Sequence, residues 1–157
     1  MKPNIGITEK NTEAVANYLQ KLLADEFVLY TKTKNAHWNI EGADFYDVHK
    51  FFESQFGQID EITDNIAERI RAIGHYTASS LKNFLSLTHL SEVTEHQNDS
   101  QGFMRELLES HESIILYIRE IITPISDDFK DLGTADFVTG LIVTHEKMAW
   151  FLRAHLK

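Results

Sequence analysis

From Phe45 to Ile73 the apolar residues recur at steps of three, four and seven: Phe45, Val48, Phe52, Phe56, Ile59, Ile66, Ile70 and Ile73. At about 100° per residue, this spacing lines one face of a single helix. Such a helix is roughly 43 Å long at about 1.5 Å per residue, so its apolar stripe needs partners of similar length. The rest of the chain can supply them. Two prolines and seven glycines in 157 residues leave most of the backbone free to be helical.

The same period predicts a first helix from about Glu9 to Trp38, capped by Thr8. The second runs from about Ala43 to Ile73 and is closed by Gly74. The third covers Asp99 or Ser100 to Ile122, with Pro124 ending it. The fourth covers Thr134 to Leu156, with Phe137, Leu141, Val143, Thr144, Met148, Phe151 and Leu152 inward or at a contact, and Gly140 allowing close packing. A Ser- and Thr-rich connection joins helices two and three, and within it Leu81 to Leu87 predicts a short helix over the bundle. A connection this long lets helices two and three run parallel. The expected fold is all-α, a four-helix bundle with one short extra helix, forming a single domain over residues 1–157.

Beside the apolar stripe of the second helix lies another, made of His49, Glu53, Asp60, Asp64 and Glu68. His49 and Glu53 are one turn apart, and so are Asp64 and Glu68. Either pair can clasp a small cation. The pairs are fifteen residues from each other, about 22 Å along a straight helix. They cannot share one ion unless two copies of the helix lie antiparallel across a two-fold axis. His37, at the end of the first helix, is brought toward His49 by the hairpin. Two imidazoles with three carboxylates suit iron, whereas a structural zinc site would favour thiolates, and the chain has no cysteine.

Net charge is −9, which opposes adhesion to DNA and favours cations. No apolar run reaches the ~18 residues of a membrane span, and no signal-peptide pattern opens the chain. With no cysteine, these features give the expectation of a cytoplasmic protein.

Other residues receive plainer readings. Trp38 packs in the core or at an interface. Glu26, on the apolar side of the first helix, pairs with a Lys or Arg. Arg69 neutralises an acidic neighbour. His75, His89, His96, His111, His145 and His155 lack a carboxylate at a persuasive spacing and are packing or surface residues. Asp127, Asp128, Asp131 and Asp136 gather near the start of the fourth helix, where acidic residues favour the helix terminus.

The segments HWNIEGADFYDVHKFFE and DEITDNIAERIRAIG resemble the Dps family, the mini-ferritins of the ferritin-like superfamily. The similarity extends to TADFVTGLIVTHEKMAWFLRAHL at the other end. The resemblance implies a ferritin-like bundle assembled as a hollow dodecamer, with ferroxidase sites at two-fold interfaces. Carried over, His37, His49 and Glu53 come from one chain, and Asp64 and Glu68 from its partner, holding two irons or one tight and one weak. Many members have Asp where this chain has Glu53. Acidic pores match Asp127 and Asp136, with Asp131 a further candidate. The implied activity is oxidation of Fe(II), preferably by hydrogen peroxide, and storage of the Fe(III) mineral as protection against oxidative stress. A DNA-compacting role is the alternative. The termini, MKPNIGIT and HLK, lack the lysine-rich tails that accompany it.

Overall fold

The computed structural model describes residues 3–92 and 98–156, so His96 lies outside the described residues. In chain order the helices are α1 (Glu9–Asn39), α2 (Phe45–Ala72), α3 (Leu81–Leu87), α4 (Ser100–Thr123) and α5 (Leu132–Ala154). No strand occurs among the described residues.

Local chemistry sets the ends. The Thr8 hydroxyl accepts from the Asn11 N–H at 3.3 Å, and the Asp99 carboxylate accepts from Gly102 N–H at 2.7 Å. Each satisfies a donor that the first turn leaves open. After α2, Gly74 takes φ +100°, and the N–H groups of Gly74 and His75 close onto the carbonyls of Arg71 and Ile70. A side chain there would sit 2.6 Å from Pro3, so glycine is required twice over.

The four long helices pack with α1 against α2 and α4, and α5 against α4 and α2. Register follows from single contacts. Gln20 near the start of α1 donates to the carbonyl of Tyr76, beyond the end of α2, while His37 at the end of α1 meets His49 near the start of α2. Lys32 pairs with Glu106 and Tyr117 donates to the Tyr18 carbonyl, so α1 is antiparallel to α4 as well. Helices α2 and α4 therefore run in the same direction, and the connection through α3 spans the bundle as its length predicts. Buried Asp25 anchors that connection, accepting from the Thr88 hydroxyl, the His89 N–H and the His89 ring. His89 thus has a carboxylate partner, contrary to the sequence expectation.

The core is a continuous apolar column including Leu19, Leu22, Leu29, Phe52, Ile59, Ile66, Phe103, Ile114, Ile118, Val138 and Leu152. On α5 the residues expected inward or at a contact divide into two groups within the protomer. Leu141, Met148 and Leu152 are buried, but Val143 and Phe151 are exposed. Gly140 faces open space, and Gly133 is the close approach instead, its missing Cβ leaving room for Arg69 at 3.1 Å.

Pro124 closes α4 at Thr123 as expected, and a wider turn of helix follows it. Its φ of −54° suits a helix, and the missing N–H costs little where the hydrogen-bonding register changes anyway. The chain widens into a π turn over Pro124–Asp128, with Phe129 N–H bonded to the Pro124 carbonyl. Lys130 then takes φ +62° and turns the backbone into α5, which begins at Leu132.

Candidate metal centre

The last turn of α1 and the second turn of α2 bring His37 and His49 together. Their rings stack with centroids 3.7 Å apart and planes 22° from parallel. Each ring bonds to the other residue's backbone: His37 Nδ1 to the His49 carbonyl at 2.9 Å, and His49 Nδ1 to the His37 carbonyl at 2.8 Å. A carbonyl oxygen only accepts, so both Nδ1 atoms carry the proton. In the neutral rings both Nε2 atoms then keep their lone pairs for a ligand. Such a contact also fixes ring orientation before a metal arrives. Phe56 meets His37 edge-on at 5.2 Å, and Phe45 lies 5.1 Å from the His49 ring.

Glu53, one turn beyond His49, has a half-exposed side chain and lies 2.6 Å from the Lys50 ammonium. That hydrogen bond, and the charge behind it, hold the Glu53 carboxyl below the usual carboxylate range and raise Lys50 in turn. Asp64 and Glu68 are exposed further along α2. Among the described residues of one protomer, no group of three or more His, Asp or Glu side chains surrounds a common point. His37, His49 and Glu53 lie at one end of α2. Asp64 and Glu68 lie toward the other.

Trp38 is 67% exposed in the protomer, so core packing is ruled out for it. Lys34 lies over its ring at 5.7 Å and over Phe56 at 4.4 Å.

The acidic residues near α5 separate into two kinds. Asp127 and Asp136 are exposed, and Asp127 accepts from the Ser126 hydroxyl. Asp131 is buried. It caps α5 by accepting from the Thr134 N–H at 2.9 Å and hydroxyl at 2.6 Å, and it pairs with Arg69 at 3.2 Å. Arg69 also donates to the Thr134 hydroxyl. The expectation that Asp131 lines a pore is therefore corrected. Its carboxylate is committed to holding α5 on α2, out of reach of a passing ion.

The bundle interior holds a polar chain that the sequence reading missed. Glu26 on α1, His111 on α4 and His145 on α5 are all fully buried. His145 Nδ1 lies 2.9 Å from His111 Nδ1, and His145 Nε2 lies 2.8 Å from Glu26 Oε1. The second approach is short, but its angles fall outside hydrogen-bond geometry. Neither Glu26 oxygen nor His111 Nε2 has a hydrogen-bond partner among the described residues. Burial, and next the adjacent His145, push His111 well below the ordinary imidazole range. Glu26 thus pairs with a histidine rather than with Lys or Arg, and His111 and His145 form part of a cluster. Helical period held the signal. His145 is four residues after Leu141, His111 is four after Leu107, and Leu141 and Leu107 are both inward.

A model of the ferritin-like domain matches residues 16–157. A low temperature-induced protein of Nostoc sp. is 38% identical, covering 98% of this chain and 86% of its own. The DNA protection during starvation protein of Helicobacter pylori is 31% identical over 88% of this chain and 95% of its own. A Dps protein from Vibrio cholerae, described as a member of a broad superfamily of ferritin-like diiron-carboxylate proteins, superposes with a TM-score of 0.92 at 29% identity. It covers 99% of this chain and 97% of the other. Sequence, helix order and backbone path agree over nearly the whole length, and the chain belongs to the Dps family of ferritin-like proteins.

Proposed function

We propose that the protein is a ferroxidase that takes up Fe(II), oxidises it with hydrogen peroxide and stores the product within a hollow homo-oligomer. The observation that carries this reading is the pair of histidines whose Nδ1 atoms are committed and whose Nε2 atoms are left to bind. With Glu53 they make half a site of N and O donors, a mixture that suits iron. The other half, Asp64 and Glu68, lies about 22 Å along the same helix and serves a second copy across a two-fold axis.

Fe(II) is the substrate. His37 and His49 bind it through nitrogen, and the carboxylates of Glu53 and of Asp64 and Glu68 from the second chain balance its rising charge. One peroxide accepts one electron from each of two Fe(II) and two protons, giving two waters. Because both electrons go to one oxidant, no hydroxyl radical is released. The exposed carboxylates of Asp127 and Asp136 concentrate cations at pores where copies meet. A family name that speaks of DNA protection fits removal of Fe(II) and peroxide. A net charge of −9 works against direct coating of DNA.

The test uses mixed oligomers. His49→Ala and Glu68→Ala each abolish rapid Fe(II) oxidation by peroxide. Co-assembly of the two variants at equal ratio restores about a quarter of the sites, because a two-fold interface between unlike chains rebuilds one intact site. Full activity in either single variant, or none in the mixture, sinks the shared site.

A further inference from the structure

Lys50 has no place in the ligand set, yet it touches that set. Its Nζ lies 2.6 Å from Glu53 Oε2, three residues along α2. Lys50 also follows His49 directly in the chain, and its contact with the half-site is made through Glu53. Lys34, on the other flank, lies over the rings of Phe56, Tyr30 and Trp38. Two cations thus border the histidines, and of these the Lys50 ammonium is the one bonded to the Glu53 carboxylate.

We propose that Lys50 is a built-in competitor for the metal, occupying Glu53 until an incoming cation displaces it. The inference rests on the reading of His37, His49 and Glu53 as ligands. A carboxylate oxygen that accepts from an ammonium at 2.6 Å presents the same lone pairs a metal would take. On that oxygen the ammonium draws on the charge a metal would use, and a metal seated there repels the ammonium in turn. An exposed pair of this kind is weak, so displacement is easy. The consequence is selectivity by charge. A divalent cation held at two imidazoles outcompetes the ammonium for Glu53, whereas a monovalent cation gains too little. Lys50 thus weakens the Glu53 position relative to the histidines and makes it the last ligand to engage.

The test is a Co(II) titration of the assembled protein, read from the visible d–d absorption, which needs no turnover. Lys50→Gln binds the weaker Co(II) equivalent about two- to fivefold more tightly than wild type, the range expected for losing one exposed ion pair. Lys50→Arg, which keeps the cation, stays close to wild type. Lys34→Gln, which removes the neighbouring charge without freeing Glu53, also stays close. Unchanged affinity in Lys50→Gln overturns the proposal. So does equal tightening in Lys34→Gln, which would make the effect one of general charge. His49→Ala separates the two levels: if it titrates as wild type does, the site itself is wrong and the role of Lys50 falls with it.

Discussion

Glu26 and His145 meet at 2.8 Å in the middle of the bundle, neither of them with any exposure to solvent. A buried carboxylate left alone is far more costly than one facing an imidazole. His145→Phe removes the partner of Glu26 and of His111 together, and it should destabilise the protomer by about 3–5 kcal/mol. Adding Glu26→Leu removes the stranded carboxylate and should recover part of that loss, making the double variant more stable than His145→Phe alone. Calorimetry of the assembled proteins measures the order. A double variant less stable than the single would show that Glu26 is satisfied without His145.

His111 makes the bundle sensitive to acid. Its folded pKa is depressed by burial, so it stays neutral in the native state, while the unfolded chain takes up a proton near about pH 6.5. Below that pH the unfolded state binds more protons. The stability associated with His111 is therefore whole above about pH 6.5 and is lost as pH falls toward the folded value, at up to about 1.4 kcal/mol per pH unit. Glu26 and His145 are the other titratable groups of this buried chain. His111→Asn keeps a polar group near the Nδ1 position without titrating. Its melting temperature should fall less steeply than that of wild type between about pH 6.5 and about pH 5.5.

Asp131 and the two exposed aspartates should separate in experiment. Asp131→Ala removes a helix cap worth about 0.5–2 kcal/mol and strands the Arg69 contact, so thermal stability drops. Asp127→Asn and Asp136→Asn leave stability nearly unchanged and slow Fe(II) uptake, measured by stopped-flow absorbance at low ionic strength. Uptake by both variants at the wild-type rate would contradict a pore role.

Gly74→Ala tests the turn after α2. The new methyl meets Pro3 in a backbone conformation that disfavours a side chain. A loss of about 1–2 kcal/mol is expected. Gly140→Ala, in a helix and facing open space, should gain stability by up to about 1 kcal/mol. Melting curves of the two variants should therefore shift in opposite directions.

The long helices were legible in the residues themselves because each must bury one stripe, and a stripe on a helix has a period. Thr8, Asp99 and Gly74 marked their ends for equally local reasons. The fifteen-residue gap between His49 and Asp64 also needed only the rise of a helix. Three-dimensional packing decided the rest. Pro124 continues into a π turn because the register could shift there, which spacing does not encode. Asp131 leaves the acidic group because Arg69, sixty-two residues away, comes to meet it. Glu26 was visible on an apolar face, and the helical period also puts His111 and His145 inward, but the three lie on separate helices. Period tells which side of a helix is inward, not which inward residues meet. That depends on the register between helices, and the register is set by packing the whole core at once.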